Sequence, residues 1–221
     1  VTLLCVLASQ AELIGRMADP ASWLSPTEQA RWAGFSTEPR RQSFLAGRWL
    51  ARDALRRWRC DGQTPVLEVA DSGACRVAGD PRVYVSISHS GDHVACAVAA
   101  LPVGVDVERL DRPRDPLGVA PIVHGAAQQQ QLAALPEPAR ARAALQLWTL
   151  KEAWLKARER GLDFAQMREL AFDDDPEGDV AVAHAPGLVL SLCGIPALPP
   201  VIECDGVAAW QRLRSRALPA G

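Results

Sequence analysis

Asp106 and Glu108 stand two residues apart in Val103-Gly-Val-Asp-Val-Glu108, a run whose alternation is that of a β-strand. On a strand the two carboxylates share one face about 6.6 Å apart, near enough to share a cation. Gly104 lies on that face too and is expected to leave open space beside them. Further along, Trp148, Glu152 and Lys156 recur at i, i+4 and i+8, one line of a helix. Trp148 and Leu155 would anchor that line to the core and leave Glu152 and Lys156 at its rim. Three carboxylates form a hard oxygen site of the kind Mg²⁺ takes, completed by water and phosphate oxygens. Lys156, one turn beyond Glu152, would hold the phosphate. The same residues have an ordinary reading: an exposed face of an edge strand, and a Glu–Lys surface pair contributing about 0.3–0.5 kcal/mol. Spacing alone leaves the two readings level.

His89 falls in Ser88-His-Ser-Gly91, a donor-rich segment expected to form a turn that can take up a phosphate. A lone His after a strand is more often just a turn residue. Arg41, Arg48, Arg52 and Arg59 recur along a helix expected from Pro39 to about Trp58. Phe44, Ala51, Leu55 and Trp58 make its inward stripe, and the arginines share the stripe beside it. Such a row is either a solvated face or an anion-binding edge next to the core.

The elements that must position these residues follow from pattern and punctuation. Ser25-Pro-Thr-Glu28 has the form of a capping box and starts a helix. Val83, Val85 and Ile87 alternate with polar residues, and Val94, Cys96 and Val98 mark a returning strand, followed by the strand that carries Asp106. Residues 111–121 read as a loop, and Gln128–Gln131 as part of a helix. A helix from about Pro138 to Arg160 is expected to end at Gly161, and Asp163 with Gln166 to cap a further short turn. Leu188–Leu192 and Val207–Leu213 read as antiparallel strands. Helices followed by strands thus occur twice, which predicts an α+β fold of two similar halves, residues 1–101 and 102–221. Short, mostly antiparallel sheets would pack on long helices around a pseudo-two-fold axis.

Composition narrows the classes. The 221 residues carry Lys+Arg 24 against Asp+Glu 26, a net charge of -2, without the basic excess of a sequence-independent nucleic-acid binder. No apolar run reaches the length of a membrane span. Among the 24 basic residues 22 are Arg, and the two lysines, Lys151 and Lys156, fall in one segment, as if a compact ammonium were needed there. The six cysteines show no C-x-x-C pair or zinc spacing and read as buried reduced thiols of a cytoplasmic protein. The apolar start reads as a buried first strand rather than a signal-peptide core, and the missing initiator Met as a trimmed or processed start.

Four segments, Phe44-Leu-Ala-Gly-Arg48, Ser86-Ile-Ser-His-Ser90, Val103-Gly-Val-Asp-Val-Glu108 and Trp148-Thr-Leu-Lys-Glu-Ala-Trp-Leu-Lys156, resemble in this order the Sfp-like 4′-phosphopantetheinyl transferases. The resemblance covers about residues 30–165, and the last two segments are its most specific part. It implies the fold of that family and transfer of the phosphopantetheine arm of coenzyme A to a serine of an apo acyl or peptidyl carrier protein. Adenosine 3′,5′-bisphosphate would be released. It makes Asp106, Glu108 and Glu152 the Mg²⁺ ligands and Glu152 the base for the serine hydroxyl. Lys156 becomes the pyrophosphate-binding cation. Ser88, His89, Arg41 and Arg48 become further coenzyme A contacts, with Lys151 beside Lys156 and Arg76 standing in for a lysine that this chain lacks. The expected partners are coenzyme A and a carrier protein, with no nucleic acid and no membrane, and the expected state is a monomer.

Two departures stand out. Where the family often has Gly-Lys-Pro, this chain has Gly73-Ala-Cys-Arg76, and where relatives show a Glu before the last helix, it has Gln128. They keep one alternative in view, a coenzyme A- or carrier-binding relative without catalysis; the three carboxylates themselves offer a second, a Mg²⁺-dependent phosphohydrolase.

Overall fold

Alternation along β1 (Thr2–Ser9) sends Leu4 and Val6 to one side and Leu3 and Cys5 to the other, all of them buried, so the first strand is sandwiched between two cores. The computed structural model describes residues 2–111, 118–207 and 209–217. After β1 come α1 (Gln10–Ile14), α2 (Pro26–Ala33) and the long α3 (Glu38–Arg59). A meander follows, β2 (Leu67–Val69), β3 (Cys75–Val77), β4 (Tyr84–Ser90) and β5 (His93–Ala99), and then β6 (Val103–Arg109), which leaves it for the other sheet. The second half adds α4 (Ala120–Val123), α5 (Ala126–Ala133), the long α6 (Glu137–Ala157) and α7 (Phe164–Glu169). It ends with β7 (Leu170–Asp174), β8 (Val180–Ala185), β9 (Leu188–Gly194), β10 (Val201–Cys204) and β11 (Gln211–Ala217).

Two sheets result, in the orders β10-β1-β5-β4-β3-β2 and β6-β9-β8-β11-β7. Among the described residues every pairing is antiparallel except β1 with β10. The long helix α3 covers the first sheet, burying Leu50, Ala54 and Leu55 against Val94, Cys96 and Val98. In the second half α6 covers the other sheet, with Leu150 and Ala153 over Val189 and Cys193. The inner faces meet as Ala95, Ala97 and Ala99 against Val103, Val105, Leu190 and Leu192. The layers are therefore helix, sheet, sheet, helix: an α+β fold of two similar halves. The split is not clean at the end of the chain, because β10 returns to pair with β1 in the first sheet. A short parallel pairing 200 residues away leaves no local trace in sequence.

Local signals set several boundaries. The capping box at Ser25 is complete: its hydroxyl accepts from the Glu28 amide and the Glu28 carboxylate accepts from the Ser25 amide. Asp163 caps α7 by accepting from Gln166 N–H at 3.0 Å. Others differ from expectation. Helix α6 stops at Ala157 rather than Arg160, and the left-handed residue that closes it is Glu159 (φ 53), not Gly161. The 111–121 loop lies largely outside the described residues, and α4 already begins at Ala120. Cys60, expected buried, is exposed in a left-handed position that ends α3. Among the described residues no helix is long and apolar enough to cross a membrane.

Candidate active site

The outer edge of the second sheet, β6, abuts the face of β4. Ser86, Ser88 and Ser90, alternate residues of β4, turn their hydroxyls to that edge and accept from the backbone N–H of Val105, Val107 and Arg109 at 3.0, 3.3 and 3.3 Å. Side-chain oxygens thus do for these three amides of β6 what a neighbouring strand would do. The alternative of an exposed polar face is excluded, although β6 is an edge strand: Asp106 and Glu108 are 4% and 7% exposed. Ser88 Oγ also donates to Asp106 Oδ1 at 2.7 Å, and Ser90 Oγ donates to Glu108 Oε2.

The space beside Gly104 is not open. A Cβ built there would stand 2.0 Å from the Ala153 carbonyl oxygen and 2.5 Å from the Ala157 amide. The backbone of α6 rests on the strand at this point, which only glycine permits. That contact brings the last turn of α6 to Asp106: Lys156 Nζ donates to Asp106 Oδ1 at 2.7 Å and to Ser88 Oγ at 3.1 Å. Burial would lower the pKa of this ammonium, but Asp106, Glu152 and Glu108 outweigh it and hold the pKa above the ordinary lysine value.

Glu152 lies one turn before Lys156 and is half-buried. Among the described residues no group of three or more His, Cys, Asp or Glu side chains stands close enough to hold a metal ion. The Lys156 ammonium provides the cation at Asp106 Oδ1 instead. Asp106 Oδ2, however, is buried and has no hydrogen-bond partner. A bare carboxylate oxygen beside a second buried acid is the donor chemistry that a hard divalent cation takes, so the residues fit Mg²⁺.

Two cavities flank β4. One, of about 250 Å³, lies between the halves and is lined by Arg48, Cys75, Arg76, Ser86, Lys156 and Glu159, among others. The second, of about 490 Å³, lies between α3 and β4 and includes Arg31, Arg40, Phe44, Arg48 and His89. Arg48 borders both. It is 5% exposed, its guanidinium lies 5.0 Å from the Phe44 ring centroid, and its Nη1 is buried without a partner. A buried cationic N–H left unpaired beside two cavities is poised for an anion. His89 is a residue of β4, not of a turn, because the strand runs on to Ser90 and only Gly91 and Asp92 turn. It is exposed, yet desolvation by the surrounding protein and then the Lys156 charge lower its pKa.

Three expected contacts sit differently. Lys151 is fully buried on another side of α6, where its Nζ meets Val123 O (2.7 Å), Gln128 Oε1 (2.7 Å) and His124 Nδ1 (3.0 Å). Three N–H bonds meet three acceptors, so this ammonium is a structural knot rather than a coenzyme A contact. Burial lowers its pKa to about 7. The Gln128 amide is used at both ends, its Nε2 donating to Leu170 O at 2.9 Å. Arg41 donates from Nε to Phe35 O at 3.0 Å, so its guanidinium braces the start of α3. Arg76 is bonded to Glu159 across the cleft.

Nor does the row of arginines act as one edge. Arg52 is tied to the fully buried Glu28 at 2.6 Å, and Arg59 to Asp80 at 2.9 Å. Arg31 and Arg40, unremarked in sequence, line the second cavity instead. Ser86 and Ser90 were legible as alternation around Ser88, but their bonding to β6 was not.

Known proteins are similar to this chain over much of its length. Residues 102–194 match the 4′-phosphopantetheinyl transferase superfamily, and residues 29–100 match the 4′-phosphopantetheinyl transferase N-terminal domain. The chain is 32% identical over 99 residues to the 4′-phosphopantetheinyl transferase psf-1 of Bacillus pumilus, covering 45% of this chain and 42% of that one. It is 25% identical over 142 residues to the 4′-phosphopantetheinyl transferase Sfp of Bacillus subtilis, covering 64% and 62%. It is 39% identical over 84 residues to a holo-[acyl-carrier-protein] synthase of Streptococcus thermophilus, 34% of this chain and 70% of that one. The chain belongs to the 4′-phosphopantetheinyl transferase superfamily. Its match spans less than two thirds of psf-1 and of Sfp.

Proposed function

We propose that this chain transfers the 4′-phosphopantetheine arm of coenzyme A to a serine of an apo acyl or peptidyl carrier protein, releasing adenosine 3′,5′-bisphosphate. The observation that carries the reading is the Lys156–Asp106 contact of 2.7 Å at the junction of the two halves, beside the cleft. A cation held by acids, next to the unpaired Arg48 Nη1, suits a ligand with both a pyrophosphate and a separate phosphate.

In this reading Asp106 and Glu108 would hold Mg²⁺, with Glu152 joining them as the ion binds because the three acids are not already gathered, and the bound ion would supply positive charge at the pyrophosphate oxygens. Lys156 binds the same pyrophosphate, and Ser88 orients its ammonium through the 3.1 Å bond. Arg48 and His89 hold the remaining phosphate. Glu152 takes the proton of the carrier serine as its oxygen forms a bond to the phosphorus next to the pantetheine arm. The bond from that phosphorus to the bridging oxygen breaks, and the negative charge leaving with adenosine 3′,5′-bisphosphate develops beside Lys156. A cytoplasmic location and a monomeric state belong to the same proposal.

The test is turnover with coenzyme A, Mg²⁺ and a panel of apo carrier proteins, each weighed afterwards. Addition of one phosphopantetheine to a carrier serine supports the reading. Coenzyme A binding without any adduct would favour a non-catalytic relative, and release of adenosine 3′,5′-bisphosphate without a carrier would favour a phosphohydrolase.

A further inference from the structure

The end of α6 is built on an unusual residue. Leu155 O accepts from the Arg160 amide and Lys156 O from the Glu159 amide, both at 3.0 Å, which is the Schellman closure of a helix. Its left-handed position ordinarily takes glycine, and here Glu159 occupies it at φ 53, although Gly161 stands only two residues on. A side chain kept in that position has work elsewhere. The Glu159 carboxylate bonds the guanidinium of Arg76, a residue of β3 that lies 83 positions earlier and in the other half of the fold. Both line the cavity of about 250 Å³ between the halves, whose wall on one side is Arg48 and residues 72–76 and on the other Lys156 and residues 159–161. Their side chains are 39% and 31% exposed, so the pair stands at the solvent side of that cavity.

We propose that Arg76 and Glu159 form a clasp across the cleft, positioning its two walls and setting how fast coenzyme A and its nucleotide product leave. The inference rests on the coenzyme A reading of this cleft. The pair is suited to repeated opening, because a half-exposed ion pair is weak and screened by salt. It also gives Arg76 a partner within the protein, so its guanidinium is not a standing phosphate contact.

The experiment is a stopped-flow chase of a fluorescent coenzyme A probe from the full chain, with Mg²⁺ present. Glu159→Gln and Arg76→Gln should each speed release by about two- to five-fold, the range expected for an exposed pair. The double variant should be no faster than either single one, and the reversed pair Arg76→Glu/Glu159→Arg should slow release again. Added salt should speed release from the unaltered chain more than from the double variant. Glu159→Gly separates clasp from scaffold: it relieves the left-handed strain, so Tm should rise while release still quickens. Unchanged rates in Glu159→Gln and Glu159→Gly would overturn the clasp while leaving the coenzyme A site in place. Slower release in Glu159→Gln with faster release in Arg76→Gln would make Arg76 a direct phosphate contact and overturn it too. Failure of the unaltered chain to hold coenzyme A at all would overturn the site and the clasp together.

Discussion

Lys156 Nζ donates to Asp106 Oδ1 over 2.7 Å, joining the last turn of α6 to the outer edge of β6. The contact sets cation and acid before any ligand arrives, and Ser88 fixes both, donating to the carboxylate and accepting from the ammonium. Electrostatic groups already in place cost no reorganisation when charge develops beside them. Lys156→Ala should therefore lower kcat/KM for transfer by about 10²–10³-fold. Steady-state kinetics on a carrier substrate, with circular dichroism to establish folding, checks this; a loss below three-fold would remove Lys156 from the site.

Gly104→Ala tests the approach of α6 to β6. The new methyl would meet the Ala153 carbonyl at 2.0 Å, and backbone cannot yield as a side chain can. A stability loss of about 1–3 kcal/mol in urea unfolding is expected, together with loss of transfer as Lys156 is displaced. Gly15→Ala is the control, since its Cβ would make only ordinary contacts, at 3.6 and 3.7 Å, away from the cleft.

Lys151→Met probes the buried knot. It leaves Val123 O, Gln128 Oε1 and His124 Nδ1 without their donor, and each buried unsatisfied group costs about 1–3 kcal/mol. A lower urea midpoint with an unchanged coenzyme A Kd is expected in calorimetric titration. A weakened Kd in a fully stable variant would instead return Lys151 to the ligand site.

How much of this was legible in sequence differs residue by residue. The parity of Asp106 and Glu108, the alternation of Ser86, Ser88 and Ser90, and the capping box at Ser25 follow from local geometry, and the fold keeps them. Lys151 and Lys156 are five residues apart, about 140° around a helix, so they had to face different surroundings. Which of them met the interior depended on α4 and α5, whose docking leaves no periodic signal. Parity likewise says which face of β6 Gly104 occupies but not that α6 backbone covers it. Arg48 and Arg52 look alike on a helical wheel and both meet Glu28, brought in by α2; Arg52 is bonded to it at 2.6 Å, whereas Arg48 stands at 3.9 Å and keeps its Nη1 without a partner. Contacts between elements distant in sequence were the part that could not be read.

Acid should loosen the same knot. Burial first, and the Lys151 ammonium second, hold the His124 imidazole down at about 3, against the ordinary histidine value of 6.5. Between those values the unfolded chain binds more protons than the fold. The stability contributed by neutral His124 is thus complete above about 6.5 and is lost as pH falls towards about 3. Urea unfolding from pH 7 to pH 4 should lose stability more steeply in the unaltered chain than in His124→Gln. Parallel slopes would contradict this.

The most direct measurement is the mass of an apo carrier protein after incubation with the full chain, coenzyme A and Mg²⁺, alongside Glu152→Gln. One phosphopantetheine is expected on the carrier serine with the unaltered chain, and a rate lower by about 10²–10⁴-fold in the variant, which still binds coenzyme A. No adduct on any carrier, or an undiminished rate in Glu152→Gln, would contradict this.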